Sequence, residues 1–524
     1  MRKIIIICSV LLIAILALAG KYFTHLAGKD SNINKALIFI PSDAAIVLSF
    51  NNNDSFYEIL KGYELFDVIL GPQGRSELTE IQKFISQAPL KELALDKKVF
   101  ITFHPLADSM EMLFIMNLDA ENSVSHLQET LSGLTDITPF NTEGNIYQSG
   151  KVNPIYFHME QGVAIASFSL QLLKNCISSK KPGLNKAFME EINTASSRSQ
   201  SSPVNLFIDH TSLSPFLLNY LNSQSQDYKP LLKKLKGKSS LSMNFKSDAI
   251  MFSGISTTDT LKAQFFNTFL HQRPAVNHIK NILPQNTSNF LAFSLSDVKL
   301  FQNDLQVYLK NIGQLKSLKQ QLSVIQSNTG INLDRDLKPL WGNEFVAVSN
   351  LYGEKYAIMK LVNGRNVNFT LQLISEPINE YVSKLMYSNI FQYYFGDPLK
   401  SFVKPYFAVA DNYLIIANTP RLIQNVLSDY ENERFLSGTE GFKEYDKLVA
   451  NQSNILYFVH NRNSKTIIRS SLQKKYSSLF SDENSSLKNF YGLSYQWSGD
   501  GDHFFSNLYL SYPSTDKQIE IAKE

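Results

Sequence analysis

Cysteine is nearly missing from this chain. Two occur in 524 residues, Cys8 and Cys176, and Cys8 lies inside an apolar run. No disulfide can therefore join two soluble parts, and the cores must hold themselves together by packing even in an oxidising compartment. An excess of charge of either sign is missing as well. Lys and Arg number 50 against 47 Asp and Glu, a formal charge of +3, too weak over this length for nucleic acid to be the main partner. No Gly-rich phosphate loop, HExxH pair, paired CxxC or GxSxG elbow occurs. That lowers the expectation of an enzyme, and no cofactor or metal is implied. Apolar residues, by contrast, make up 44% of the chain, enough for two or three domains with their own cores and too much for a disordered protein.

A long apolar run lies near the N-terminus. Arg2 and Lys3 precede Ile4 to Gly20, interrupted by Ser9, and Lys21 and His25 return the chain to water. At about 1.5 Å per residue, a run of roughly 17 is at the lower limit for crossing a bilayer. Tyr22 and Phe23 suit the interface. The expectation is a signal anchor over residues 1–28, a single transmembrane helix in the cytoplasmic (inner) membrane, with the N-terminus inside and the bulk of the chain periplasmic. The alternative is secretion after cleavage, because Ala17-Leu18-Ala19 has the small-x-small form that signal peptidase accepts.

Self-comparison finds an internal repeat. Ile40-Pro41 leads into Ile46 to Phe50, as Leu283-Pro284 leads into Phe290 to Phe293, and each apolar stretch is followed by an amphipathic helix pattern. Asp54 or Ser55 can cap the first helix, and Ser296 or Asp297 the second. Val99 to Phe103 matches Glu344 to Val348. Tyr156-Phe157, Val163 to Ile165 and Leu172-Leu173 match Tyr406-Phe407, Tyr413 to Ile415 and Leu422-Ile423 without a gap, with Ser169 and Thr419 both at helix N-caps. Ser240 to Phe245 matches Gly492 to Trp497, and both enter hairpin turns. The order in each copy reads strand, helix, two strands, helix, two strands, helix, three strands. This predicts an α+β fold of two tandem homologous units, each a mainly antiparallel sheet covered by helices. The units run over 29–260 and 279–515, joined by a linker at 261–278 and followed by a tail at 516–524. Ser196 to Pro203 reads as an exposed loop without a counterpart in the second copy.

Few residues offer chemistry. His210 and His460 occupy equivalent strand ends, and Asp209 beside the first raises an acid/base dyad; neighbours on a strand point to opposite faces, which favours structural histidines. Asp500 and Asp502 around Gly501 begin like a calcium loop but lack the remaining oxygen ligands, and read as a hairpin turn. Lys229, Lys233, Lys234, Lys236 and Lys238 form a basic segment that suits either anionic headgroups or plain solvation. Tyr387, Phe391, Tyr393, Tyr394 and Phe395 are the candidate ligand-binding residues, as the wall of a hydrophobic groove, with core packing as the alternative.

The segment Thr329-Gly330-Ile331-Asn332-Leu333-Asp334-Arg335-Asp336-Leu337, followed by Trp341-Gly342-Asn343-Glu344 and a strand, resembles the hallmark of an uncharacterised bacterial envelope family. In that family, a domain of unknown function with an N-terminal membrane anchor, TG-x-D-x-x-x-D-L … G-x-E precedes a strand. Asp336, Gly342 and Glu344 match, while Asn332 stands for the usual acid. Tyr413 to Pro420 resembles the family's strand-to-helix step. The resemblance implies an anchored envelope protein and brings no catalytic residues. Physically, Gly330 suits a helix C-cap, and Asp336 and Glu344 read as turn and surface groups.

The leading functional expectation is a membrane-anchored, extracytoplasmic binding or scaffold protein that uses a groove between its two units, with an envelope protein or a hydrophobic ligand as partner. The alternatives are a carrier or sensor of a hydrophobic ligand such as lipid, and a hydrolase with an unfamiliar site at His210 and Asp209.

Overall fold

The computed structural model describes residues 34–512 except 63, 107–108, 119–136, 142–145, 151–153, 179–185, 199–201, 219–220, 223–235, 247 and 475–489. The expected anchor at 1–28, Lys229, Lys233, Lys234 and the tail at 516–524 lie outside the described residues. Among the described residues no helix is long and apolar enough to cross a membrane.

Among the described residues the fold is α+β, built on one antiparallel sheet of 20 strands. The N-terminal half supplies β1 (Ile46–Asn51), β2 (Lys98–Leu106), β3 (Ser109–Asn117), β4 (Ile137–Asn141), β5 (Ile146–Ser149), β6 (Ile155–Glu160), β7 (Val163–Ser167), β8 (Asn205–Asp209), β9 (Gly237–Lys246) and β10 (Ala249–Thr258). The C-terminal half supplies β11 (Thr287–Ser294), β12 (Trp341–Asn350), β13 (Lys355–Leu361), β14 (Ser375–Pro377), β15 (Ser383–Leu385), β16 (Tyr406–Ala410), β17 (Tyr413–Ala417), β18 (Ile455–His460), β19 (Gly492–Gly499) and β20 (Phe504–Ser511). Pairing runs β4-β5-β6-β7-β3-β2-β1-β8-β9-β10 through the first half. The second half pairs in the order β20-β19-β18-β11-β12-β13-β17-β16-β15-β14.

The halves meet where β10 pairs with β20, from Ala249 opposite Ser511 to Ser256 opposite Phe504. Phe252 faces Leu508 across this ladder. Met243 is the next partner outward on one side and Tyr495 on the other, the two residues that the sequence comparison aligns. The joint thus has the form of an isologous contact, in which each side offers the same register to the other. The bridge Leu221 to Leu472 also crosses between the halves. Instead of a seam with a groove, the sheet continues through the joint.

Local sequence explains the elements. In β9 the alternation of Leu241 and Met243 with Ser240, Ser242 and Asn244 places the apolar residues on a buried face. In the second half both faces are covered, and the centres of β12 and β13, Phe345 to Val348 and Tyr356 to Met359, are apolar. Phe345, Ala357 and Met359 face one core, with Leu305, Leu318 and Phe391 from overlying helices. Val346, Val348 and Ile358 face another, with Leu422, Ile423 and Phe442. Thr419 caps the helix Pro420–Glu431 by accepting from the N–H of Leu422, as the sequence predicts, and Ser169 does the same for Leu170–Ile177. The first helix after β1 departs from expectation. Its cap is Asn53, accepting from Phe56 N, and the helix Asp54–Gly62 is followed by a second, Glu64–Ile85.

Three further expectations change. The linker 261–278 is folded into the C-terminal half: its 3-10 helix Phe265–Phe269 buries Phe265 and Phe269 in the C-terminal core, where Phe265 meets Phe293 edge to face, and Phe269 stacks on Phe293 and lies tilted against Phe301. Ser196 to Arg198 end the helix Lys186–Arg198 instead of opening a loop, and the ammonium of Lys98 donates to the Ser196 carbonyl at 2.6 Å.

The third change concerns Glu344, which is fully buried rather than a surface group. Its Oε2 accepts from the backbone N–H of His278 (2.5 Å) and Ile279 (2.8 Å), while Oε1 meets the Lys360 ammonium at 2.8 Å and the His278 ring at 3.3 Å. The carboxylate therefore fastens the segment between the halves to β12. Asp336 and Gly330 behave as turn groups. Gly330 ends the helix Leu315–Thr329 at φ 74°, a left-handed conformation that glycine adopts without strain. Asn332 caps the next turn, and Asp336 reaches back to the Asn332 N–H at 3.0 Å.

Removing the Glu344 carboxylate leaves two N–H donors and the Lys360 charge without their acceptor. Glu344→Ala should cost about 3 kcal/mol of stability, with Glu344→Gln costing less, in urea unfolding followed by tryptophan fluorescence. A loss below about 1 kcal/mol for Glu344→Ala would contradict this role.

Candidate functional site

The residues singled out from the sequence do not converge. Phe391, Tyr393, Tyr394 and Phe395 lie in the short helix Ile390–Phe395, all of whose residues are buried. The rings of Phe391, Tyr394 and Phe395 pack against Trp341 or Phe345 at centroid distances of 5.0 to 6.2 Å, Tyr393 meets Tyr394 edge-on, and Tyr387 packs partly buried against the same core. The hydroxyls of Tyr393 and Tyr394 both donate to the Asp334 carboxylate at 3.2 Å. Burial and that carboxylate raise both phenol pKa values. These side chains fill the core beneath the helices and do not line an open groove.

The two histidines are helix-start groups. His460 accepts from the Asn463 N–H at 3.1 Å as the N-cap of Asn461–Ser471. His210 opens the helix His210–Leu218, and its Nε2 lies 2.7 Å from the Ser239 hydroxyl. That hydroxyl continues to Ser256 and Tyr495, and Ser256 to Ser506, so a buried polar chain runs beneath the β10–β20 joint. Asp209 does not orient the ring; its carboxylate accepts from the Thr211 N–H and the Ser212 hydroxyl. Asp500 and Asp502 both lie against His503 in a hairpin turn. Among the described residues no group of three or more acidic, His or Cys side chains could hold a metal ion. Of the basic segment, Lys236 and Lys238 are described. Lys238 lies over the Phe188 ring at 5.7 Å.

The site with usable geometry is a groove of about 580 Å³ near the far end of the C-terminal half. Its floor is made of Ala408, Val409 and Ala410 in β16, with Leu427 and Ile282. One wall is the helix Gly364–Gln372, carrying Asn368 and Gln372, and the other is the end of Pro420–Glu431 with Tyr430 and Glu431. Glu380 and Tyr381 close one side from the turn after β14, and Glu433 and Phe435 another.

The frame is specified locally. Asn363 caps the first wall helix by accepting from the Asn366 N–H. Gly364 sits so close to the turn after β16 that a Cβ there would lie 1.8 Å from the Asp411 carbonyl oxygen, so no side chain fits. Its N–H donates to the Asn412 side-chain oxygen at 2.9 Å. Asn379 accepts from the N–H groups of Tyr381 and Val382 and sets the turn that presents Glu380. Tyr430 donates to Asp411 at 2.8 Å and packs between the rings of Tyr413 and Phe435. Burial and the Asp411 carboxylate raise its phenol pKa. Sequence reading missed this groove because its residues come from separate segments between 282 and 435 with no motif among them. The one usable signal was the apolar Phe369 and Leu373 on the polar side of an amphipathic helix pattern.

No protein-family model matches the chain, and no curated protein sequence matches it. Solved structures similar to part of it include crystal forms IV, III and I of TP0453, at 14, 14 and 15% identity. Each match covers 46% of this chain and 88 or 89% of that one, with a TM-score of 0.24. A likeness at that TM-score carries no argument.

Burial pushes the imidazoles of His210 and His460 down to about 4. Each is neutral in the folded chain and takes a proton near pH 6.5 once unfolded. The stability each contributes is therefore complete above about pH 6.5 and falls as pH drops toward 4, by about 2 kcal/mol per imidazole between pH 7 and pH 5. Urea midpoints measured across that range should fall less steeply for His210→Gln with His460→Gln than for the parent chain; equal slopes would contradict the buried neutral state.

Proposed function

We propose that this chain is a binding or scaffold protein of the bacterial envelope, of the kind that its Thr329 to Glu344 segment resembles. Its N-terminal apolar run holds it at the outer face of the cytoplasmic membrane, and it arose by tandem duplication of an α+β unit. The matched order of strand pairing in the two halves supports duplication, as does the Phe252 to Leu508 register at their joint. The observation that carries the binding reading is the groove beneath Tyr381 and Phe435. It is concave, framed by two helices and a strand, and lined by polar and charged side chains beside apolar ones.

The hydrophobic-carrier reading loses its motive, because the Phe391 to Phe395 rings are buried in the core and Tyr387 packs against it. The hydrolase reading loses the Asp209 and His210 dyad, whose members bond to different partners.

A photo-crosslinking residue placed at Asn368, in the groove wall, should give a defined adduct in intact cells, whereas one at Ser323 on an exposed helix should not. Protease added to spheroplasts should digest the chain. Absence of a position-specific adduct together with protection from protease would overturn the proposal.

A further inference from the structure

The ionised groups around the groove are of one sign. Glu380, Asp411, Glu431 and Glu433 line it, and no Lys, Arg or His does. The chain as a whole carries +3, so the concentration of negative charge is local. Three cations of the C-terminal half are engaged elsewhere, while Arg365 on the wall helix Gly364–Gln372 is exposed. Arg434 bonds to Asp429 and Ser428, Lys360 pairs with Glu344, and Lys384 lies over the Tyr406 ring at 5.3 Å.

Apolar surface adjoins these carboxylates. Phe369 is 68% exposed and Tyr381 65%, with Leu373 and Ile378 also exposed on the same helix and turn. Tyr381 lines the groove and Phe369 follows the lining residue Asn368 on the wall helix, and exposed rings next to a concave site mark an interaction surface more often than isolated exposed residues do. Open ring faces next to carboxylates suit Lys and Arg, which gain a cation–π contact and an ion pair together. The carboxylates do not converge on a point, and no described group fits a metal ion. Their spread along the rim matches cations spaced along a chain. Anionic headgroups and nucleic-acid phosphates would meet repulsion here.

Resting on the binding reading above, we propose that the groove docks a segment of a partner protein in which Lys or Arg alternates with apolar residues. The cations lie against Glu380, Asp411, Glu431 and Glu433, and the apolar side chains lie on Phe369 and Tyr381. Charge complementarity sets the encounter rate and the partner's sign, and the rings supply burial.

The test uses the full chain in nanodiscs and a fluorescein-labelled 12-residue peptide of alternating Lys and Leu, read by anisotropy. Controls are the same peptide with Glu for Lys, and spermine as a competitor. The basic peptide should bind, with affinity falling at least ten-fold between 50 and 300 mM NaCl. Glu380→Gln with Glu431→Gln and Glu433→Gln should weaken it at least ten-fold, and Phe369→Ser with Tyr381→Ser by a similar factor. These positions are exposed, so an unchanged melting temperature is expected and separates lost binding from lost folding. Equal affinity for the Glu peptide, no effect of the Gln variants, or complete competition by spermine with no effect of the Ser variants would overturn the proposal. If the Asn368 adduct joins an acidic or uncharged segment, this inference fails while the binding reading stands. If no groove position gives an adduct, the binding reading fails with it.

Discussion

The pairing of β10 with β20 is the constraint on which the rest of the molecule depends. Each half of the sheet would otherwise end in a long strand with its N–H and C=O groups unpaired, an edge that invites association with other chains. Here the two edges satisfy one another over the full length from Ala249 to Ser256. Because the register is centred on Phe252 and Leu508, neither half has to deform to meet the other. Beneath the ladder, Ser239, Ser256, Ser506 and Tyr495 exchange hydrogen bonds across both hairpins. A one-residue slip would move every hydroxyl to the opposite face and break that chain. The polar network fixes register at a place where apolar packing alone would tolerate sliding.

A second fastening works by electrostatics. The chain must travel from the end of β10 to the start of β11 on its way to rebuilding a sheet, and Glu344 receives it. A buried carboxylate is costly unless its lone pairs are met. Two backbone N–H groups and the Lys360 ammonium meet them. Phe265 and Phe269 secure the same stretch by burial. The segment between the halves is thereby part of the C-terminal core, and the relative placement of the halves is set at both the joint and the connection.

Much of this architecture is legible in the sequence, because it follows from short-range rules. Matched blocks that both enter a hairpin turn identified β9 and β19, a hydroxyl before an amphipathic run identified the caps at Ser169 and Thr419, and glycine after a polar helix end identified Gly330. Glu344 was not legible, since its acceptor role is satisfied by groups 65 and 66 residues earlier in the chain. The cluster from Phe391 to Phe395 misleads for a related reason. Consecutive aromatic residues on a short helix point in every direction, and only helices from distant segments decide that all of those directions are inside. The groove escaped notice because five chain segments contribute to it and each is unremarkable alone.

The continuity of the sheet also moves the place where recognition belongs. Two units packed face to face would bury their related surfaces against a cleft, and a ligand would sit between them. The two halves of this sheet are joined edge to edge by backbone hydrogen bonds from Ala249 to Ser256, which leave nothing there for a partner. What is left for binding lies away from the joint, where the sheet shortens and its covering helices part. At the C-terminal end β14 and β15 have only three residues each, and the floor narrows to Ala408 and Ala410. Small side chains on a strand leave the space that larger ones fill elsewhere in the sheet, and the turns at Glu380 and Asp411 then place charge at its rim. The groove follows from the same edge-to-edge construction that closes the joint.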